Sequence, residues 1–265
     1  MDVASLDGLV EVPWETRNLK VPSFELDADS LASWKGQDLS SALANAVGNS
    51  FFVQVRVPAN NRAQTSMVEA LGFRTAELAL NPWIDLSRAK LFGSYLADYS
   101  QFIPKHTNLE SMSFSVNHIS DVSENTRQLI VDGSIEAFST DRFHTDPHCP
   151  IDIADARIGL WLSEDLFHDK DLFCTTIYRD ADLVGYIVWK KDKFILGGIS
   201  PEYIGKGFAK LLYLQTMKDV FEGSQELSTT ISANNNEVLN LYSRLEFSFR
   251  NPTYLFHLWG RPSNQ

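Results

Sequence analysis

The chain has 265 residues, 44% of them hydrophobic and 12% aromatic, enough to bury one large core or two smaller ones. Its 23 Lys+Arg against 34 Asp+Glu give a formal charge of -11, which opposes non-specific binding to nucleic acid or anionic lipid and favours a small-molecule or protein partner. The apolar runs fall short of the ~20 residues that cross a bilayer, and MDVASLDGLVEV lacks a secretion signal. Cys149 and Cys174 are too few for a disulfide framework, so a cytoplasmic protein with free thiols is expected.

The first clear strand is FFVQVRV, Phe51 to Val57, where β-branched residues alternate; helical spacing follows from Asn60 to Leu71 and stops at Gly72-Phe73, before a second strand, RTAELAL. From Leu86 to Glu110 the spacing is helical and broken at Pro104, which places a junction between an N-terminal part, 1–90, a linker, 91–110, and a C-terminal part, 111–265. The second part then predicts a strand over Met112–Ile119, a helix from Glu124 to Phe138, a polar stretch, and a helix from Asp152 to Phe167. Leu172–Arg179, Asp182–Lys190 and Lys193–Ile199 are closely spaced extended runs joined by short turns, which predicts an antiparallel meander. A helix from Gly207 to Phe221, a strand over Leu227–Ser232, a helix over Glu237–Leu245 and a strand over Tyr254–Trp259 complete an α+β order.

ANNRAQTSMVEALGF, Ala59 to Phe73, and ANNNEVLNLYSRLEF, Ala233 to Phe247, share Ala-Asn-Asn, the penultimate-but-one Leu and the final Phe. Two related half-domains are one explanation; convergence of two helices on the same start and stop signals is the other. The first copy has Val68 where the second has Tyr242, and no glycine-rich turn precedes it, so it lacks the parts for chemistry.

Before the second copy, FILGGISPEYIGKGFAKLLYLQTM joins an apolar strand, a glycine turn and a helix start, an arrangement that offers backbone N–H groups and the positive end of a helix dipole to an anion. A tight structural turn has the same appearance. Here the sequence resembles the GNAT superfamily of acetyl-CoA-dependent N-acetyltransferases. Ile199-Ser200-Pro201 and Gly205-x-Gly207-x-Ala209 match its cofactor motif, with Ile204 where the family usually has Arg or Gln. Asn235 and Tyr242 in NNEVLNLYSRLEF match its second motif, with Glu246 replacing Gly. The resemblance implies a mixed, mostly antiparallel sheet flanked by helices, with an N-terminal partial GNAT-like domain. It implies acetyl-CoA as co-substrate, its pyrophosphate on the amides of Gly205, Lys206, Gly207, Phe208 and Ala209, and its pantetheine arm on Gly198 and Ile199. Asn235 would contact the cofactor, and Tyr242 would be the general acid for the leaving thiolate. A helix cap for Asn235 and a half-buried helix aromatic for Tyr242 are the structural alternatives.

EAFSTDRFHTDPH, between the first two helices of the C-terminal part, supplies Glu136, Asp141, Arg142, His144, Asp146 and His148 where such enzymes build their acceptor site. It could equally be a solvated loop. A metal on His144, Asp146 and His148 is the weaker reading, and none is assigned. Pro13–Thr16, Leu71-Gly72-Phe73 and Ala137-Phe138…Asp141-Arg142-Phe143 before Trp161 resemble a narrower group, the bacterial dTDP-fucosamine acetyltransferases. That resemblance implies a nucleotide-linked amino-deoxy sugar as acceptor, bound by Phe138, Arg142, Phe143 and His144. Another small amine, a peptide N-terminus, or a non-catalytic CoA-binding module are the alternatives, and a homodimer is left open.

Overall fold

The computed structural model describes residues 6–91, 111–138 and 141–260. Its N-terminal segment holds β1 (Leu9–Glu11), α1 (Pro13–Leu19), β2 (Ser23–Leu26), a 3-10 turn (Ala28–Trp34), α2 (Leu39–Val47), β3 (Phe51–Pro58), α3 (Arg62–Ala70), β4 (Arg74–Asp85) and α4 (Leu86–Leu91). The C-terminal segment holds β5 (Met112–His118), α5 (Glu124–Ala137), α6 (Ile151–Glu164), β6 (Phe173–Arg179), β7 (Asp182–Lys190), β8 (Lys193–Ile199), α7 (Phe208–Phe221), β9 (Glu226–Ser228), β10 (Ile231–Ser232), α8 (Asn236–Arg244) and β11 (Ser248–Gly260). Apart from Leu91, the expected linker lies outside the described residues.

Local chemistry sets the elements that alternation does not announce. Pro13 opens α1, where a missing N–H costs nothing, and Asp38 caps α2 by accepting from the Ser41 N–H. The expected helix over Asp152–Phe167 starts at Ile151 and stops at Glu164, and a separate 3-10 turn follows at Leu166–His168. The expected strand over Leu227–Ser232 is two short pieces, while the last strand begins at Ser248, six residues before the expected Tyr254.

Hydrogen bonding makes one mostly antiparallel sheet, in the order β1-β2-β3-β11-β4-β9-β8-β7-β6-β5, with β10 beside β4. The ladders do not follow the 1–90 and 111–265 division, because β11 inserts between β3 and β4 while β4 carries β9 and β10. The two repeat copies explain this exchange. Asn61 and Asn235 lie 174 residues apart, and the same offset carries α3 onto α8 and the start of β4 onto the start of β11. The pairing obeys it too: Arg74↔His257 maps onto Trp83↔Ser248, and His257↔Gln54 maps onto Trp83↔Ser228. A pseudo-twofold axis therefore passes between β4 and β11, and each strand completes the other half's sheet.

Helices α7 and α8 cover one face over a core that includes Ile84, Leu212, Leu227 and Tyr242, and α2 and α3 cover the same face of the other half over Val53, Val55, Val57 and Val68. On the opposite face α5 and α6 pack over Ile130, Ile158, Leu162 and Val188, and α1 with α6 packs over Phe52 and Phe143. Cys174 lies buried in this layer, and burial pushes its thiol up to about 12.

Candidate functional site

Strands β8 and β9 are parallel and meet at a single register position, Lys193↔Ser228. Beyond it the Thr229 N–H donates to Pro82 O of β4 instead, and the two strands part. β8 also carries a bulge, since Trp189 pairs with Phe194 and Val188 with Leu196. From Ile195 to Ile199 the free edge of β8 therefore faces a wedge with its main chain available to a ligand. Gly198 and Ile199 lie on this lip. A Cβ on Gly198 would come within 3.2 Å of the Tyr186 ring, so glycine keeps β8 close to β7.

The wedge runs out into the turn Pro201–Tyr203 and then the glycines. Gly205 and Gly207 both have left-handed backbones, φ 75° and 86°, which a Cβ would disfavour. Gly207 is the N-cap of α7 and brings no side chain, so the first-turn N–H groups of Phe208 and Ala209 lack an intrahelical partner. The Phe208 ring is buried edge-on against Tyr203 and anchors the helix start. The Lys206 N–H closes the turn on Tyr203 O at 3.3 Å, and the Lys206 ammonium lies 5.4 Å from the Tyr203 ring centroid. Ile204 is exposed, in keeping with a position that supplies no side-chain contact to the turn.

Asn235 caps α8, its side-chain oxygen accepting from the Val238 N–H at 3.1 Å, so the cap uses the oxygen and not the carboxamide nitrogen. Tyr242 is 2% exposed and packs edge-on against Tyr213 and Phe247. The Tyr213 and Thr229 side chains act on its hydroxyl electrostatically. Burial and the neighbouring Tyr213 hold its pKa well above the ordinary phenol value, so it remains a proton donor. Thr229 directly follows the last paired residue of β9, and its hydroxyl donates to Phe194 O at 3.0 Å, which places Thr229 at the apex of the wedge. Tyr213 and Thr229 carry no motif of their own in the sequence.

The residues expected at the acceptor are drawn elsewhere. Phe138 packs against the core under α5 and α6. Phe143 is 1% exposed, between the guanidinium groups of Arg142 and Arg157 at 4.8 Å and 4.2 Å. Arg157 holds the buried Glu15 of α1 by two hydrogen bonds, 2.8 Å and 3.0 Å, and Arg142 reaches Gln54 of β3 at 3.1 Å. Burial and the Arg157 and Arg56 charges push Arg142 down to about 10. His144 is held between Asp141 and Asp155, and Asp146 accepts from Trp259 and bonds His257. Gln54 is level with Arg74 on β4, whereas the wedge apex is level with Trp83, nine residues on and roughly 30 Å along the strand. Arg142, Phe143 and Asp146 thus pack against β3 and β11 in the N-terminal half of the sheet. Among the described residues no group of three or more His, Cys, Asp or Glu could hold a metal ion.

The pseudo-equivalent cleft of the N-terminal half, about 660 Å³, is lined by Glu25, Asp27, Asp29, Arg56, Asn61 and Gln64 among others. Gln64 reaches across it, donating to Ala28 O at 3.0 Å. Val68 stands for Tyr242.

No family model matches the chain, and no curated protein matches it. Solved structures do. A GCN5-related N-acetyltransferase from Sphaerobacter thermophilus aligns over 96% of this chain and 76% of its own, with 14% identity and a TM-score of 0.58. A tandem GNAT protein from the clavulanic acid biosynthesis pathway aligns over 92% and 77%, with 12% identity and a TM-score of 0.56. A functionally unknown conserved protein from Staphylococcus epidermidis aligns over 92% and 88%, with 13% identity and a TM-score of 0.58.

Proposed function

From this GNAT-type fold we propose that the protein is an acyltransferase that moves an acetyl group from acetyl-CoA to a primary amine, at the wedge of its C-terminal half. The observation that carries the reading is the parting of β8 from β9 directly into a turn with two left-handed glycines at the start of α7. The main chain of Gly198 and Ile199 would pair with the pantetheine amides as an added strand does. The amides of Gly205, Gly207, Phe208 and Ala209 would take the pyrophosphate. Lys206 would contribute its ammonium, since its N–H already closes the turn. In this arrangement the amine attacks the thioester carbon, the C–S bond breaks, Tyr242 protonates the thiolate, and the proton lost by the amine returns to Tyr242 through solvent.

The narrower acceptor, the amino group of a nucleotide-linked amino-deoxy sugar, is supported by the sequence resemblance alone, because Arg142, Phe143 and His144 are occupied with protein partners. The test is release of free thiol from acetyl-CoA with a panel of nucleotide amino sugars, simple amino sugars, polyamines and peptides, the product confirmed by mass. Turnover with nucleotide amino sugars alone supports the narrow acceptor. Turnover elsewhere keeps acetyl transfer and discards the sugar. A protein that acetyl-CoA stabilises against heat but that releases no thiol with any amine is a binding module.

A further inference from the structure

A sheet that does not close on itself has two edge strands, here β1 and β5. β1 is blunted, since it has three residues, ends on Glu11 and runs into Pro13 and α1. β5 carries none of these devices. Met112–His118 is seven residues without Asp, Glu, Lys, Arg or Pro, and its ladder with β6 is unbroken by any bulge.

The ladder fixes which main-chain groups are left over. The Asp180 N–H donates to Ser111 O at 2.7 Å and the Ile119 N–H to Leu172 O at 3.0 Å, at the two ends of the β5–β6 register. Hydrogen-bonded pairs alternate in an antiparallel ladder, so Ser113, Ser115 and Asn117 bond inward to β6. The N–H and C=O groups of Met112, Phe114, Val116 and His118 therefore point out of the sheet, and no backbone group among the described residues bonds to them. Side chains alternate as well. Met112 and Phe114 pack against the core under α7 and α8, whereas Val116, on the same face, is 42% exposed.

We infer that β5 is the interface of a homodimer, in which it pairs antiparallel with β5 of a second copy about a twofold axis at Ser115. The register selects this occupant. A self-complementary pair requires each outward residue to meet an outward residue, and about Ser115 all of them do: Met112 meets the partner's His118, Phe114 meets the partner's Val116, and the axis repeats both pairs. An axis at Phe114 or Val116 would carry His118 or Met112 past the end of the partner strand. Val116 then lies against the partner's Phe114, a β-branched side chain beside an aromatic one. On the other face Ser115 meets the partner's Ser115, and Ser113 meets the partner's Asn117, so no like charges oppose one another. An uncharged edge matters for a chain of net charge -11, because two copies repel wherever charged surfaces meet.

The test is sedimentation equilibrium of the full chain over a range of concentrations, joined to site-specific crosslinking. The mean mass of the wild type should rise with concentration from one chain towards two. Val116→Lys puts like charges on both sides of the axis, and Val116→Pro removes an outward N–H that β6 does not use. Each should weaken the dimer by at least about 10-fold while the chain still unfolds cooperatively. Cα atoms of a non-hydrogen-bonded pair stand about 4.5 Å apart, within disulfide reach, so Ser115→Cys should give a disulfide-linked dimer on mild oxidation. Ser113→Cys should not, because its two copies are more than about 13 Å apart. The wild type, with Cys149 and Cys174, sets the background. A single-chain mass at every concentration, a dimer indifferent to both Val116 variants, or crosslinking by Ser115→Cys no greater than that of Ser113→Cys overturns the inference.

Discussion

Two side chains separate chemistry from architecture. Tyr242 is buried, with a pKa held well above the ordinary phenol value by burial and the neighbouring Tyr213, so its removal tests the acid directly. Tyr242→Phe should lower kcat by roughly 100-fold or more with little change in acetyl-CoA affinity. The fold should be kept, since the ring retains its packing against Tyr213 and Phe247. Unchanged turnover would exclude it as the acid. His257 belongs to the architecture. Its Nδ1 bonds Asp146 at 2.7 Å, and burial, opposed by that carboxylate and reinforced by Arg142, pushes its pKa down to about 4. A depressed folded-state value means that the unfolded chain binds the proton more readily, so stability is held above pH 6.5 and lost as pH falls towards 4. The loss amounts to about 3 kcal/mol. Urea midpoints measured across this window should drop in the wild type and much less in His257→Asn. A midpoint as steep with pH in the variant would assign the acid sensitivity to other groups.

At the scale of elements, what was legible followed from local rules. Asn61 and Asn235 cap their helices, and α3 and α8 occupy the same relative stretch of each copy, because N-cap oxygens and apolar spacing act within a few residues. The meander of β6, β7 and β8 was equally readable, since short turns leave neighbouring strands few other ways to pair. The glycine turn was visible as well, and Gly205 and Gly207 do adopt the left-handed backbone it needs. The first 50 residues were not legible as elements. β1 has three residues and α1 seven, too short for periodicity, and α1 is fixed by the distant pair Glu15–Arg157. The break between β9 and β10 and the early start of β11 depend on β4 as partner, a contact that spacing along the chain cannot encode. The same limit applies to Arg142, Phe143 and His144. Their residue types suit a sugar phosphate, but their position is decided by β3 and β11, which lie far away in sequence.

For the whole molecule, the exchange of β4 and β11 has a consequence for cooperativity. Among the described residues β11 finds its ladder partners in β3 and β4, both from the N-terminal segment, and β4 in turn supplies the edge to which β9 and β10 are bonded. A fragment of residues 111–265 would keep β5 to β8 but leave the 13 residues of β11 with their backbone N–H and C=O groups unpaired, a loss that solvent replaces only if the strand unfolds. Tyr242 and Phe247 share a core with Ile84 of β4, so unfolding of β11 would also open the floor of the wedge. The intact chain should therefore unfold in one calorimetric transition in which the wedge is lost together with the N-terminal half. The fragment 111–265 alone should show no cooperative unfolding, and acetyl-CoA should not stabilise it. Mixing it with a fragment of residues 1–91 should restore both properties, since each piece carries the strand the other lacks. Two separate transitions in the intact chain, or a fragment 111–265 that unfolds cooperatively by itself, would mean that the exchanged strands contribute little and that the C-terminal half closes its own sheet.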